Sequence, residues 1–130
     1  MGLFKKKDEY KVENSICTVY FNKAGKLTEE RVELLQEKLN REDCQEVHVM
    51  LGKGVTAICP WAFKKFSKLT SIVIHNKVTF VGEYAFWHCY NTTIYCEAPK
   101  KPSGWDPDWN KSNLTVIWNH VTTKGKQINA

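Results

Sequence analysis

The sequence predicts an α/β fold in which short repeated units stack into a solenoid with a parallel β-ladder. The first observation is an internal repeat, because Ala-Phe in PWAFKKFSK (Pro60 to Lys68) returns 23 residues later in EYAFWHCYN (Glu83 to Asn91). The second is a set of short β-branched runs that recur at nearly the same interval. Internal periods of 20–50 residues are typical of solenoids, whose units bury their apolar faces against one another.

Length and composition set the outer limits of this prediction. A chain of 130 residues with 42% hydrophobic and 25% charged residues predicts one globular domain. No apolar run approaches the roughly 18 residues of a membrane span, so none is predicted. Five cysteines without CxxC spacing, together with a start that lacks an apolar signal core, predict reduced thiols and a cytoplasmic location for the chain as written. For a trimmed fragment the expected location is instead the cell surface or the exterior.

The N-terminal part of the chain does not carry the repeat. Residues 1–14 are predicted to be a flexible basic segment, and residues 15–45 a strand–helix cap. SICTVYF at the start of this cap reads as a strand, and Thr28 is a suitable N-cap for the helix that follows. The core-facing positions of that helix are predicted to be Val32, Leu35 and Leu39. A strand at Val47–Leu51 would complete a βαβ crossover, so the cap is expected to close one sheet edge.

The repeat occupies residues 46–119. VTAICPWAFKKFSKLTSIVIHNK (Val55 to Lys77) aligns with VTFVGEYAFWHCYNTTIYCEAPK (Val78 to Lys100), and this alignment places Phe63 on Phe86. EVHVMLGKG before the first copy and LTVIWN after the second supply further strands. The segments that begin at Pro60 and Glu83 are predicted to be one-turn helices.

The C-terminal part reads as a loop and a tail. APKKPSGWDPDWNKSN contains three prolines and a glycine, which favour turns. Trp105 and Trp109 in this loop are predicted to fold over the last repeat and seal its core, the alternative being an aromatic contact site. Residues 120–130 are predicted to be a disordered tail.

The repeated units resemble a known family. VTAICPWAFKKFSKLTSIVI and VTFVGEYAF..C are similar to the BspA-like leucine-rich repeat, V-x-x-I-G-x-x-A-F-x-x-C-x-x-L-x-x-I-x-I-P, and the Trp-rich ending is common in that family. The chain departs from the pattern at Cys59, Phe66 and Thr92, where Gly, Cys and Leu are usual. The resemblance implies a short leucine-rich-repeat solenoid of about three repeats that binds proteins, usually in surface-exposed proteins. It implies no catalytic residue and no cofactor.

Strand alternation predicts which face of the sheet is available to a partner. If Val49, Ile72, Ile94 and Val116 point into the core, the next residue of each strand points outward. These outward residues form an apolar column: Met50, Val73, Tyr95 and Ile117. The polar rim beside the column is predicted to contain His48, His75 and Glu97. An apolar stripe with a polar rim is typical of a protein-binding patch. Two alternatives stay open, namely cover by the Thr28–Asn40 helix and cover by a second copy in a homodimer.

Other classes of function receive less support from the residues. The sequence shows no nucleophile–base pair, phosphate loop or carboxylate dyad, so an enzyme is not predicted. Metal-ligand spacing is missing, and the repeat places Cys89 and Cys96 in the core. A net charge of +5 and five tryptophans favour nucleic acid, but the outward columns hold no Lys or Arg to follow a phosphate backbone.

The sequence therefore predicts a non-enzymatic protein–protein interaction module that uses the open face of its parallel sheet. One alternative is a self-associating structural or antigen-like fragment of a larger surface protein with the same repeats. Another is a small intracellular inhibitor or adaptor of mobile-element origin.

Overall fold

The computed structural model describes residues 6–122. In this range the chain forms nine strands and one helix. They are β1 (Glu9–Glu13), β2 (Ile16–Phe21), β3 (Gly25–Leu27), α1 (Glu29–Leu39), β4 (Glu46–Leu51), β5 (Val55–Ile58), β6 (Leu69–Ile74), β7 (Phe80–Val81), β8 (Thr93–Cys96) and β9 (Thr115–Ile117).

Two sheets run along the stack. The larger has the order β1-β2-β4-β6-β8-β9 and the smaller the order β3-β5-β7. Every neighbouring pair is parallel except the β1–β2 hairpin. In the larger sheet Val49 lies opposite Ile72, which lies opposite Ile94, which lies opposite Val116. The predicted α/β fold with a parallel ladder is confirmed, and so is its register.

Each coil of the chain has three sides. The first coil consists of β2, β3 and α1, the second of β4, β5 and the turns of residues 59–68, and the third of β6, β7 and the turns of residues 82–92. The helix α1 thus takes the side that turns occupy in the later coils. Thr28 caps α1 as predicted, since its Oγ1 accepts a hydrogen bond from the amide of Arg31 at 3.1 Å. A salt bridge of 2.7 Å between Glu29 and Lys64 connects α1 to the second coil.

A line of aromatic rings forms the centre of the core. Phe63 stacks on Phe86 with ring centroids 5.3 Å apart and planes 11° apart. Phe21 meets Phe63 edge-on from the first coil, at 6.1 Å. Trp109 meets Phe86 edge-on at 6.3 Å from the C-terminal side. Because Trp109 follows Phe86 by the same 23 residues that separate Phe63 and Phe86, it fills the ring position of a further coil.

The predicted one-turn helices are wrong, because these segments are runs of β-turns. Trp61 and Tyr84 have positive φ values of 62° and 54°, outside the helical region. The amides of Trp61, Phe63 and Lys65 donate to carbonyl oxygens of the next coil at 3.2, 2.8 and 2.6 Å. A helix would have turned these N–H groups toward its own carbonyls four residues earlier. Hydrogen bonding between stacked coils therefore decides the backbone conformation here.

The structure also differs from the sequence prediction at the N-terminus. Residues 9–13, expected within a flexible segment, form the edge strand β1. Tyr10 and Val12 pack against the core, while the intervening side chains face outward. Arg31 holds the preceding residue, Asp8, in a salt bridge of 2.9 Å. The strand forms because its two apolar residues alternate with charged ones and so give one face that can be buried.

At the C-terminus the described chain reaches further than predicted. The amide of His120 donates to the carbonyl of Cys96 at 2.9 Å, and its ring lies 5.0 Å from that of Tyr95. This first residue of the expected tail is therefore packed against β8. The rest of that prediction, from residue 123 onward, lies outside the described residues.

Candidate partner-binding face

The outward side of the six-stranded sheet, here called the open face, brings the predicted column together. Met50 lies opposite Val73, Val73 opposite Tyr95, and Tyr95 opposite Ile117. The first three side chains are half-buried by their neighbours and Ile117 is exposed. Strand pairing about 4.8 Å apart thus makes one continuous apolar stripe.

Two further strands widen the open face: β2, which the sequence analysis predicted as part of the cap but did not count in the apolar column, and β1, which it did not predict. In β2, Tyr20 lies opposite Met50 and extends the stripe by one residue. In β1, Glu9 lies opposite Tyr20 and ends the stripe with a carboxylate. The alternation in SICTVYF was enough to find Tyr20, because a βαβ crossover places that strand beside β4. Six strands and five residues along each give a flat area of about 480 Å².

The rim residues are fixed by local hydrogen bonds. His48 contacts Ser71 Oγ with Nδ1 at 2.6 Å and Glu46 with Nε2 at 3.2 Å. His75 Nδ1 accepts from the amide of Lys77 at 3.0 Å, so Nε2 carries the proton that it donates to the carbonyl of Gly52 at 2.9 Å. The two histidines therefore bond to separate partners and do not form a pair. Glu97 accepts a hydrogen bond from the amide of Asn76 at 3.0 Å.

The helix α1 does not cover the open face. Its apolar residues Val32, Leu35 and Leu39 are buried in the core, which lies on the other side of the sheet. Its exposed side continues the turn side of the coils, where Glu29 contacts Lys64. One contact from outside the strands reaches the stripe, because the ring of His120 lies 5.0 Å from that of Tyr95.

The open face is acidic although the whole chain is basic. Alternation and register place Glu9, Glu13 and Glu46 outward in the strands, with Lys11 as the one cationic residue among these strand positions. Just outside the strands, Glu97 follows β8, and the exposed Lys7 and Lys68 precede β1 and β6. The formal charge of the outward strand positions is −2, while the chain as a whole carries +5. The rest of the sequence therefore carries +7.

A comparison with known families matches residues 40–102 to the family described as "BspA type Leucine rich repeat region (6 copies)". Residues 40–102 are thus similar to a BspA-type leucine-rich repeat region. The match begins before β4 and ends in the loop after β8, so it includes the second and third coils. Leucine-rich repeats of this kind are typically protein-interaction modules without enzymatic activity. No curated protein and no solved structure matches the chain.

The Trp-rich loop completes the leucine-rich repeat region at its C-terminal end. Trp105 and Trp109 are 3% and 5% exposed, and their rings meet edge-on at 4.9 Å. The indole nitrogen of Trp105 donates to the carbonyl of Val78 at 3.2 Å. Both side chains thus seal the core, as one of the two interpretations of this loop predicted. Their burial contradicts the alternative, in which they would contact a partner.

The cysteines of the leucine-rich repeat region and its cap are free thiols. Burial raises the pKa of Cys89 to about 11 and that of Cys96 to about 12. Burial, with a side-chain hydrogen bond that the Cys17 thiol makes to Cys44, raises the pKa of Cys17 to about 12. Cys59 is the most exposed of the five. Within residues 6–122 no three His, Cys, Asp or Glu side chains are grouped so that they could hold a metal ion.

A second exposed surface of the leucine-rich repeat region was not predicted. Five aromatic side chains form a contiguous row on the turn side of the coils, here called the aromatic ridge: Trp61, Tyr84, Trp87, His88 and Tyr90. Neighbouring centroids are 4.2 to 5.1 Å apart. The positive φ of three of them turns their side chains outward, which helical spacing would not have shown.

In the part of the chain that the structure describes, no helix is long and apolar enough to cross a membrane.

Proposed function

We propose that the protein binds a partner protein through the open face. In this proposal the stripe from Met50 to Ile117 supplies the apolar contact, and His48, His75 and Glu97 direct the partner from the rim. The observation that carries it is an apolar stripe that is partly exposed, five strands long and edged by polar groups. This arrangement is that of a protein interface, in which an apolar centre is surrounded by a polar rim.

The size of the open face limits the expected affinity. Its area of about 480 Å² is below the roughly 800 Å² that each partner contributes to a standard interface. The rim side chains are already hydrogen-bonded within the sheet, so a partner does not need to order them again. Fixed contact groups reduce the entropic cost of association, and a weak but specific complex is therefore expected.

A selection from a displayed random peptide library tests this proposal. Peptides enriched on the wild type should lose binding to Val73→Asp and to Tyr95→Asp, because each variant places a charge in the stripe. Thr56→Asp is the matched control, since Thr56 is an exposed strand residue in the smaller sheet. All three variants are first compared with the wild type by circular dichroism and thermal unfolding.

The outcome separates the open face from the other exposed surface. Peptides that bind both open-face variants as well as they bind the wild type, but that no longer bind Trp87→Ala, would place the site on the aromatic ridge and refute the proposal. Light scattering on the same samples tests self-association. A dimer of the wild type that dissociates in Val73→Asp would show that the open face binds a second copy instead.

A further inference from the structure

We infer that the open face selects a lysine- and arginine-rich segment of its partner protein. This inference rests on the proposed function, because it names the chemistry of the partner at the same site. The inference follows from the distribution of charge on the open face. The apolar stripe alone would not distinguish a basic partner from an acidic one.

The carboxylates surround the stripe. Glu13 and Glu46 both lie opposite Ile16, along one margin of the sheet. Glu97 lies at the other margin, and Glu9 stands at the β1 end of the stripe. A partner that sets an apolar side chain on Val73 or Tyr95 therefore has carboxylates within reach on more than one side.

These carboxylates are available to a cationic partner. Glu9, Glu13 and Glu46 are exposed, and Glu97 is half-buried. Glu46 contacts His48 through one oxygen, and Glu97 uses one oxygen for the amide of Asn76. Since an ionised carboxylate has about four acceptor sites, each retains capacity for an arginine or lysine.

Charge also argues against the other occupants. A face-to-face dimer of two copies would bring a formal −2 on the strands of one copy against −2 on the other, and like charges at an interface cost affinity. A nucleic acid would present phosphates to the same carboxylates. A basic segment is the occupant that this charge attracts, while the apolar stripe supplies the contact area.

The composition of the selected peptides is the first test. The pool enriched on wild type from the random library is sequenced and compared with the input pool. Lys and Arg should rise and Asp and Glu should fall among the binders that require Val73 and Tyr95. If these binders show no excess of Lys and Arg, the inference is overturned while the proposed function stands. If no binder requires Val73 or Tyr95, both fail.

A charge-matched pair of variants is the second test. The open-face variant carries Glu13→Gln, Glu46→Gln and Glu97→Gln, and glutamine keeps a carbonyl acceptor at each position. The control carries Glu33→Gln, Glu37→Gln and Glu83→Gln, which remove the same charge from exposed residues outside the open face. Binding of a fluorescein-labelled peptide from the enriched pool is measured by anisotropy at low and at physiological salt.

The expected result is a loss of about tenfold in affinity for the open-face variant, since exposed ion pairs contribute about 0.2–1 kcal/mol each. The control should stay within about twofold of wild type. Added salt should weaken peptide binding to wild type more than to the open-face variant, because screening removes the same interaction. Equal losses of affinity in the two variants would show that only the net charge of the protein matters, and this result would overturn the inference. A wild-type dimer that depends on Val73 would overturn it in favour of a second copy.

Discussion

Gly82 offers the most direct test of the stacked coils. It is buried after β7, and its amide donates to the carbonyl of Ile58 in the coil before it. A Cβ added here would lie 2.5 Å from the backbone nitrogen of Pro60 and 2.6 and 2.7 Å from two of its ring carbons. These are about 1 Å inside ordinary carbon contact distances. Gly82→Ala therefore cannot be accommodated unless the two coils separate.

The expected cost of Gly82→Ala follows from that overlap. Overpacking in a core costs about 1–3 kcal/mol, and the upper end applies because the nearest atom belongs to the backbone and cannot rotate away. An unfolding entropy of about 2.1 cal/mol/K per residue over 130 residues makes 1 kcal/mol equal to about 4 °C. Gly82→Ala should then lower the midpoint of thermal unfolding by about 11 °C.

The equivalent residue of the preceding coil provides the control. Cys59 aligns with Gly82 and makes the equivalent bond, since its amide donates to the carbonyl of Leu27 in β3 at 3.0 Å, but Cys59 already has a side chain at this position. Cys59→Ala should change stability by less than about 1 kcal/mol. Urea and thermal unfolding of both variants give the comparison. If Gly82→Ala is as stable as Cys59→Ala, the close approach of the two coils is wrong.

Three further predictions concern the core. Phe63→Ala and Phe86→Ala in a double-mutant cycle should show a coupling of about 0.5–1.5 kcal/mol in urea unfolding, as expected for stacked rings, and strictly additive effects would argue against the stack. Thr92→Val should cost about 1 kcal/mol in the same assay, because the buried Oγ1 donates to the carbonyl of Leu69 at 2.7 Å; an unchanged stability would show that this bond contributes nothing. Stability should fall from pH 9 toward pH 12, because the unfolded thiols ionise near pH 9 while the buried ones keep their protons. Between pH 9 and 10 the loss should be on the order of 1 kcal/mol for each of the three cysteines, measured by urea unfolding, and a flat profile over that range would contradict the raised pKa values of Cys17, Cys89 and Cys96.

The repeat and its register were predictable because the core constrains both the positions of the aromatic rings and the apolar face of each strand. Phe63 and Phe86 align in the sequence, and their rings stack in the structure. A shift of one residue in a strand would move its whole apolar set to the wrong face. Val49 and Ile72 could therefore pair in only one register, and the structure shows that register.

The turn segments could not be predicted by the same reasoning. Trp61 and Tyr84 are bulky L-residues, for which positive φ is rare, so a helical turn was the natural expectation. The deciding interactions are amide hydrogen bonds to the next coil, such as that of Phe63 to the carbonyl of Ala85 at 2.8 Å. Local propensity contains no information on these bonds, because their acceptors are more than 20 residues away in the chain.

The site was less predictable than the fold because the ends of the stack determine its extent. The repeats alone gave an apolar stripe of four residues, starting at Met50 and ending at Ile117. Strand β1 adds Glu9 and Glu13 to the open face, although EYKVE is short and its charged residues favour a solvated segment when read alone. These two carboxylates are half of the acidic residues on the open face. A close copy of the repeats with a different N-terminal hairpin would thus keep the stripe from Met50 to Ile117 but lose Tyr20 and much of the charge. The inferred preference for a basic partner therefore depends on the hairpin as much as on the repeats.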